Sequence, residues 1–337
     1  EWPSSRIDWR DLFLNAGGRL QGTAAKGTPV PICSPLWVGL AAGEIGRYGE
    51  DADWPPDQRE DDGGSLVFTT DPLPATLEIL GAPQLHLRFS VDKPMALVAV
   101  RLNDVMPDGR STRVALGCLN LTHRDSHEQA AMLEPGRVYE AVVDIDDIAH
   151  SFPAGHRIAV SISTTYWPIC WPSPELATVT VHTGESRLAL PVRPEDPADA
   201  RLRRFDPPEM AAPTPSEDLP AEKTVRRGVR RDLLSKEMVV EFPRWTYAHR
   251  MPDIGQTVAS DAFARYRITD GDPLSAACET GCTVEITRKD GVFGHHSTSR
   301  MTCDATHFRI EISLRVTENG ASVFERSWDE RIPRDHV

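Results

Sequence analysis

Apolar and polar residues alternate with a period of two along much of the chain, which is the pattern of half-buried β-strands. The stretch 134–164 shows this pattern twice, over 139–145 and over 158–162. Pro153 and Gly155 lie between the two runs and predict a turn. We therefore expect two strands, each with one core face and one solvent face, and the core residues of the second run are Ile158, Val160 and Ile162.

Similar short alternations follow one another from residue 65 to residue 192. The clearest covers 84–91, and the sequence Met106-Pro107-Asp108-Gly109 is a strong turn signal. No segment of this region has a sustained helical period. Short strands at regular spacing, separated by Gly and Pro turns, predict a β-sandwich or jelly roll rather than alternating β and α units.

A second, smaller β-rich domain is predicted over residues 224–337. Apolar residues alternate without interruption over 308–316, and Asn319-Gly320 then predicts a tight hairpin turn. The predicted fold class is therefore all-β, with a jelly-roll β-sandwich followed by this second domain.

The remaining parts of the chain are less regular. Residues 193–223 are rich in proline and charge, which predicts a stiff, extended linker. Residues 1–64 are poorly periodic and are expected to form a connecting segment whose loops pack on the jelly roll of residues 65–192. The acidic runs Glu50-Asp51-Ala52-Asp53 and Glu60-Asp61-Asp62 are expected to be solvated.

Composition and charge narrow the class of partner. The net charge of −13 over 337 residues argues against a nucleic acid or an anionic membrane surface. No apolar run approaches the roughly 18 residues of a membrane span.

The sequence has six cysteines, and no two of them form a Cys-x-x-Cys motif. We therefore expect the cysteines to be reduced and mostly buried, which favours a cytoplasmic location. Because the chain starts at Glu1 rather than at Met, a preceding part of the protein is expected.

The motifs of self-contained enzymes do not occur in the sequence. It contains no Gly-x-Ser-x-Gly, no P-loop, no dinucleotide-binding glycine pattern and no His-Glu-x-x-His. Eleven histidines and many serines are present, but no pattern singles out a nucleophile held by a base. We therefore predict no catalytic residue and no cofactor in this chain.

Two polar clusters contain residue types that can bind metal ions. The first is His123 with His127, and the second contains His295, His296, Cys303, Asp304 and His307. Because neither spacing fits a known ligand template, polar turns and strand residues are expected instead of a metal.

An aromatic stretch, Tyr166 to Pro174, follows the strand over 158–162. Aromatic residues among prolines at a strand end are typical of a pocket wall or a partner surface. They are also typical of a hydrophobic plug between sheet layers or under a loop, and both interpretations stay open. The candidates for a binding surface are Tyr166, Trp167 and Trp171.

Short motifs occur in a fixed order over residues 57–192. They are Asp57-Gln58-Arg59, Ser65-Leu66-Val67-Phe68, Asp71-Pro72-Leu73, Gly81-Ala82-Pro83, Val105-Met106-Pro107-Asp108-Gly109, Leu133-Glu134-Pro135-Gly136 and Phe152-Pro153-Ala154-Gly155-His156-Arg157-Ile158. Together they resemble the C-terminal non-catalytic domain of X-prolyl dipeptidyl peptidases and of cocaine-esterase-like (CocE/NonD) serine hydrolases. The upstream residues 1–3 and 12–20 resemble the segment that joins the hydrolase domain to the jelly roll in that family. Residues 224–337 lie outside the resemblance and would be a C-terminal extension.

The resemblance implies a galactose-binding-like jelly roll that supports catalysis carried out elsewhere. In the family, the serine, aspartate and histidine of the triad belong to a preceding α/β-hydrolase domain, which would be the partner of this chain and would cleave an ester or a peptide. The early loops of the jelly roll help border the acyl pocket there. By position, the candidates for that pocket rim are Leu36, Trp37 and Trp54, and His150 and His156 are expected to be structural.

Two alternatives from other functional classes remain open. The chain could be a stand-alone jelly-roll module that binds carbohydrate or protein, in which case Trp167 and Trp171 would stack on a sugar. It could also be an interaction domain that forms a homo-oligomer.

Overall fold

The computed structural model describes residues 4–43, 54–220 and 227–337, without the side chains of 243–245. The chain divides into two compact units between Asp199 and Ala200, and the final residues His336 and Val337 belong to the first unit. Strands account for 53% of the residues and helices for 4%. The predicted all-β fold class, a jelly-roll sandwich with a second β domain, is confirmed.

The first unit is a β-sandwich whose described residues form thirteen strands. They are β1 (Asp8–Asn15), β2 (Arg19–Gln21), β3 (Pro29–Ile32), β4 (Leu66–Thr69), β5 (Leu77–Gly81), β6 (Gln84–Val91), β7 (Leu97–Val105), β8 (Ser111–Asn120), β9 (Val138–Asp144), β10 (Ile148–Phe152), β11 (Arg157–Ser163), β12 (Val179–His182) and β13 (Arg187–Val192). One short helix, α1 (Arg59–Asp62), precedes β4, and single 3-10 turns cover Leu121–His123 and Asp199–Arg201.

The strand order is β3-β12-β6-β13-β1-β2-β4-β11-β7-β8, while β9 pairs with β6, and β5 pairs with β10 and β13. Strand β1 lies antiparallel to β13, so part of the predicted connecting segment is built into the sandwich.

The side chains between the two layers follow the period-two pattern. In β6, Leu85, Leu87 and Phe89 are buried and alternate with half-buried polar residues.

Strands β7 and β11 differ from the simple alternation. Ile158, Val160 and Ile162 are buried, as predicted. Ser161 and Ser163, expected on a solvent face, are buried as well. The reason is that the second face of these strands is covered by helix α1 and by the irregular residues that follow β3.

The second unit is an antiparallel meander of long strands. The strands are β14 (Glu217–Asp218), β15 (Gly228–Arg231), β16 (Glu237–Met251), β17 (Gln256–Thr269), β18 (Asp272–Arg288), β19 (Gly291–Cys303), β20 (His307–Glu318) and β21 (Ala321–Pro333), with a 3-10 turn at Pro252–Ile254. The sheet order is β14-β16-β17-β18-β19-β20-β21, and β15 also pairs with β16.

The hairpin predicted at Asn319-Gly320 is confirmed, since Glu318 lies opposite Ala321 and both turn residues have positive φ angles, as a two-residue hairpin requires. The alternating apolar residues of β20 are only half-buried or exposed, in contrast to those of β6. Buried apolar residues of this unit instead lie in β16 and at the adjoining ends of β17 and β18, and include Met238, Val240 and Ile268. The second unit is therefore an open sheet whose core lies toward its first strands.

No disulfide joins any of the six cysteines, all of which lie in the described ranges, but the expectation that most are buried is wrong. Cys33 and Cys118 are exposed, and the other four are half-buried. Three of these four, Cys278, Cys282 and Cys303, lie in the long strands β18 and β19, where most side chains are only half-buried. In the described ranges, no helix has the length and apolar character needed to cross a membrane.

We predict that Ile162→Ala lowers the free energy of unfolding of the first unit by about 2–5 kcal/mol, because it leaves a cavity between the layers. Urea denaturation followed by circular dichroism measures the loss. Val142→Ala on β9 is the matched control, since Val142 is exposed, and it should change stability by less than about 0.5 kcal/mol. Equal losses in the two variants would contradict the burial assigned to β11.

Candidate functional site

The most distinctive polar feature of the first unit is a buried network around Arg101. Arg101 lies in the middle of β7, in an otherwise apolar run, and its side chain is 0% exposed. Its guanidinium donates to Gln58 Oε1 at 3.1 Å and to Ser65 Oγ at 2.9 Å, and it lies 3.0 Å from Asp62 Oδ1. A buried cation of this kind is tolerated only when its charge and its N–H groups are satisfied.

Helix α1 supplies the negative charge for this network. Asp61 is fully buried, and its Oδ2 lies 3.8 Å from Arg101 Nη1. Burial raises the pKa of Asp61, while the Arg101 guanidinium and the backbone N–H groups of Gly39 and Ala41 oppose that rise. Asp62 is held a second time, since Ser161 Oγ on β11 donates to its Oδ1 at 2.7 Å. The network therefore ties α1 to both β7 and β11.

Gln58 connects the network to an irregular stretch that follows β3, residues 34–43, which we call the cover segment. The Gln58 amide donates from Nε2 to the carbonyl of Ala41 at 2.9 Å and to that of Pro56 at 2.7 Å, while its oxygen accepts from Arg101. The side chain is fully buried. Gln58 thus forms hydrogen bonds both to the backbone of the cover segment, at the carbonyl of Ala41, and to the guanidinium of Arg101 on β7.

The cover segment is also joined to the residues that follow β11. Ser34 and Thr164 exchange backbone and hydroxyl hydrogen bonds, at 2.8 Å from Ser34 N to Thr164 Oγ1 and 3.0 Å from Thr164 N to Ser34 Oγ. Further on, the backbone N–H of Trp167 donates to the carbonyl of Val38 at 2.9 Å. Because most of its residues are buried, the cover segment is a fixed part of the sandwich rather than a free loop.

Gly39 sits at the closest approach of these two segments. Its φ of +111° is a conformation that side chains disfavour, and a Cβ at this position would lie 2.3 Å from the carbonyl oxygen of Trp167. Only glycine therefore allows the cover segment to pack against the backbone of Trp167.

The three predicted rim residues lie in different environments. Leu36 is fully buried, so its side chain anchors the cover segment in the interior of the unit. Trp37 is half-buried, and its ring edge approaches Gly64, where a Cβ would be 3.1 Å from Cη2. Trp54 is 75% exposed. Of the three, only Trp37 and Trp54 have side-chain surface that is exposed to solvent.

The aromatic stretch is mostly inside the unit. Tyr166 and Trp167 are buried, and the Tyr166 hydroxyl accepts from Arg113 Nη1 at 2.8 Å. Burial raises the pKa of Tyr166. Trp171 is half-buried, packs edge-on against Trp167 at 5.4 Å between ring centroids, and lines a small cavity of about 140 Å³ with Cys118 and Cys170. With Trp167 1% exposed, this pair does not offer two faces for stacking on a sugar.

The expectation that Glu60-Asp61-Asp62 forms a solvated face is wrong for Asp61, which is fully buried, and Asp62 is half-buried, because both carboxylates turn toward the Arg101 guanidinium. The companion run Glu50-Asp51-Ala52-Asp53 lies outside the described residues. In α1, only Arg59 and Glu60 have exposed side chains.

The histidines singled out in the sequence lie in separate local contacts. His150 Nε2 and His156 Nδ1 lie 3.2 Å and 2.7 Å from the two carboxylate oxygens of Asp104. The rings of His123 and His127 stack at 5.9 Å between their centroids. Over the described part of the chain, no three His, Cys, Asp or Glu side chains are grouped so that they could hold a metal ion.

The second polar cluster belongs to a turn between β19 and β20. Asp304 Oδ1 accepts from the backbone N–H groups of Thr306 and His307, and its Oδ2 accepts from Arg331 at 2.9 Å. These hydrogen bonds hold the pKa of Asp304 well below its usual value. His296 lies instead on β19, where its Nδ1 is 2.8 Å from Thr283 Oγ1.

Sequence reasoning missed Arg101, although a signal was present. An arginine inside the apolar run Leu97–Leu102 predicts a buried charge that needs a partner. The partner could not be identified in the same way, because Asp61 and Asp62 are about forty residues away in the sequence and reach β7 only through the fold.

We predict that Arg101→Met lowers the free energy of unfolding of the first unit by about 3–5 kcal/mol, because it leaves the buried Asp61 and the half-buried Asp62 without a counter-charge. Thermal and urea denaturation measure the change. Arg110→Met is the control, since Arg110 pairs with Asp108 in an exposed turn, and its effect should be far smaller. A stable Arg101→Met variant would contradict the role given to this network.

We further predict that Gly39→Ala destabilises the first unit by several times more than Gly109→Ala. Both glycines have positive φ, but a Cβ at Gly109 meets no atom within 4 Å, whereas a Cβ at Gly39 collides with the Trp167 backbone. Differential scanning calorimetry of the two variants measures the difference. Equal melting temperatures would show that the close approach at Gly39 is not a constraint.

Comparison with known proteins connects this architecture to a family. The chain is 29% identical to cocaine esterase of Rhodococcus sp. over 116 residues, which are 34% of this chain and 20% of that enzyme. This chain therefore spans only a small part of the length of that curated relative.

Part of the fold of this chain is also found in a solved structure. An aminopeptidase from a marine sediment Thaumarchaeota archaeon superposes with a TM-score of 0.51 at 22% identity, over 58% of this chain and 38% of that one. A family model described as the X-Pro dipeptidyl-peptidase C-terminal non-catalytic domain matches residues 1–204, which include the whole first sandwich and the Arg101 network. The chain therefore belongs to this family of C-terminal domains of hydrolases.

Proposed function

We propose that this chain is the non-catalytic C-terminal part of a CocE/NonD- or X-Pro dipeptidyl-peptidase-like serine hydrolase, and that it supports and borders the active site of an α/β-hydrolase domain. That domain would form an acyl-enzyme from an ester or a peptide and hydrolyse it. The observation that carries the proposal is the buried Arg101 network, which holds the cover segment rigidly on one face of the sandwich.

The chemistry of the network favours a supporting role. Arg101, Asp61 and Gln58 are all fully buried, and most of their polar atoms are used inside the unit. Gln58 joins Arg101 to the carbonyl of Ala41, and Asp61 Oδ1 accepts from the backbone N–H of Ala41. Such groups do not meet a substrate, but they hold the backbone around Trp37 in one conformation. A rigid base is what a pocket wall needs, because side chains that are fixed before binding lose less entropy when the substrate arrives.

Two tryptophans provide the contact surface in this proposal. Trp54 is largely exposed and Trp37 is half-exposed, whereas Leu36 supports them from within. Large aromatic side chains of this kind often dominate the energetics of pockets and interfaces. We assign Trp37 and Trp54 to the rim and Leu36 to its support.

The first test uses the chain as it stands. We expect the purified chain to show no turnover of a p-nitrophenyl ester and no labelling by a fluorophosphonate probe, while a serine esterase treated in parallel is labelled. Serine-dependent hydrolysis or labelling of this chain would overturn the assignment as non-catalytic.

The second test needs the full-length protein encoded by the gene. We predict that Trp54→Ala raises KM for its ester or peptide substrate about tenfold with kcat little changed, because it removes binding surface rather than catalytic groups. Trp9→Ala is the matched control, since Trp9 is an exposed tryptophan on β1 of the same unit, and it should leave KM unchanged. An equal effect of both variants would contradict the rim assignment, and absence of a hydrolase domain in the full-length protein would overturn the proposal.

A further inference from the structure

Strand β21 is an edge strand of unusual length and exposure. It pairs with β20 along one side, and within the described ranges no strand pairs with its other side. Every residue from Ala321 to Pro333 is exposed except Trp328, which is half-buried. A long strand with unpaired backbone N–H and C=O groups is a template for pairing with another strand.

The edge exposes large apolar side chains as well as charged ones. Phe324 is 47% exposed and Ile332 is 46% exposed, and both lie on the same face of β21 as Trp328 because they differ from it by an even number of residues. Natural proteins usually protect long edges with prolines, bulges or inward-facing charges. Here Pro333 lies only at the end of the strand, and the one irregularity in its pairing lies near the start.

We propose that β21 is a dimerisation edge, and that it pairs antiparallel with β21 of a second copy of this chain. This inference is independent of the proposed function. A two-fold axis perpendicular to the sheet relates the copies, so the same strand serves both sides of the contact. Because such an axis leaves each residue on its own face, opposite residues must both be even-numbered or both be odd-numbered.

One register that meets this condition matches the sequence of β21. When the axis passes through Trp328, the two tryptophans face each other and Phe324 lies opposite Ile332 of the partner subunit. In the same register, Glu325 lies opposite the partner's Arg331, and Arg326 lies opposite the partner's Glu330. Cross-strand pairs of these kinds stabilise antiparallel strands. Every charged residue between Phe324 and Ile332 then meets an opposite charge, except Asp329, which meets Ser327.

The neighbouring registers lack this complementarity. An axis through Ser327 places Glu325 opposite Asp329. An axis through Arg326 or through Asp329 places that residue opposite its own copy. Like charges directly opposite each other destabilise a strand pair, so the sequence selects the register centred on Trp328.

Some of the charged residues of β21 already form ion pairs with described residues of their own chain, and others do not. Glu325 Oε1 lies 3.5 Å from Arg315, and Arg331 Nη2 lies 2.9 Å from Asp304. Arg326 lies over the ring of Trp328, with its guanidinium carbon 4.8 Å from the centroid, and among the described residues neither it nor Glu330 has an ion-pair partner. Arg326 and Glu330 are therefore the sharpest probes of the contact.

The test is a charge swap measured by sedimentation velocity and light scattering over a range of concentrations of the whole chain. The unmodified chain should form a dimer at micromolar concentration. Glu330→Arg and Arg326→Glu should each weaken the dimer about tenfold or more, because the two-fold axis creates each repulsion twice. The double variant R326E/E330R should restore the dimer, since the opposite charges face each other again.

Glu285→Arg provides the control, because Glu285 is exposed on the inner strand β18, and it should leave the dimer unchanged. The register is tested by Trp328→Cys in a chain whose exposed Cys33 and Cys118 are replaced by serine. This variant should form a reducible covalent dimer under mild oxidation with oxidised glutathione, whereas Phe324→Cys, whose counterpart would be Ile332, should not.

Circular dichroism of each variant separates loss of the dimer from loss of the fold. A chain that remains monomeric would overturn the proposal. It would also be overturned by a dimer that is insensitive to the single charge reversals, or by one that the double variant fails to restore.

Discussion

The burial of the Arg101 guanidinium is the constraint on which the first unit depends. A cation in the middle of a strand that is covered on both faces is stable only if carboxylates and polar oxygens surround it. Helix α1 brings those carboxylates, Gln58 and Ser65 bring the oxygens, and the cover segment closes over them. The charge of Arg101 therefore fixes the four-residue helix α1 and the cover segment in position on the β-sandwich.

In the function proposed for this chain, the network would support a hydrolase domain through the rigidity of its backbone. The network uses most of its polar atoms inside the unit, and in the proposal the surface offered to a neighbour is that of the exposed Trp54 and the half-buried Trp37. The second unit follows a different principle. Its strands are long and hydrogen-bonded in a meander, but the apolar face of β20 is only partly buried, so its stability rests more on the strand ladder than on a closed core.

The extent to which the site was predictable varies from residue to residue. The motif Asp57-Gln58-Arg59 was recognised as a lead-in to the domain, but its purpose was not, because Gln58 acts on Ala41 and Arg101, which are distant in the sequence. Asp61 and Asp62 belong to an acidic run for which the sequence predicts a solvated face, because the cation that binds them is distant in the sequence. Tyr166 and Trp167 were ambiguous, because an aromatic stretch has the same composition whether it forms a surface or fills a core.

Alone, the sequence determined the strands, the hairpin at Asn319-Gly320, the all-β class and the family. These follow from period-two alternation, turn chemistry and ordered local motifs, which act over a few residues and can be read along the chain. Only the tertiary structure decided that the second face of β7 and β11 is covered, which acidic residues neutralise Arg101, and which strand is left as an open edge. The physical reason is that burial and charge pairing depend on residues that are far apart in sequence, and only the fold brings them into contact.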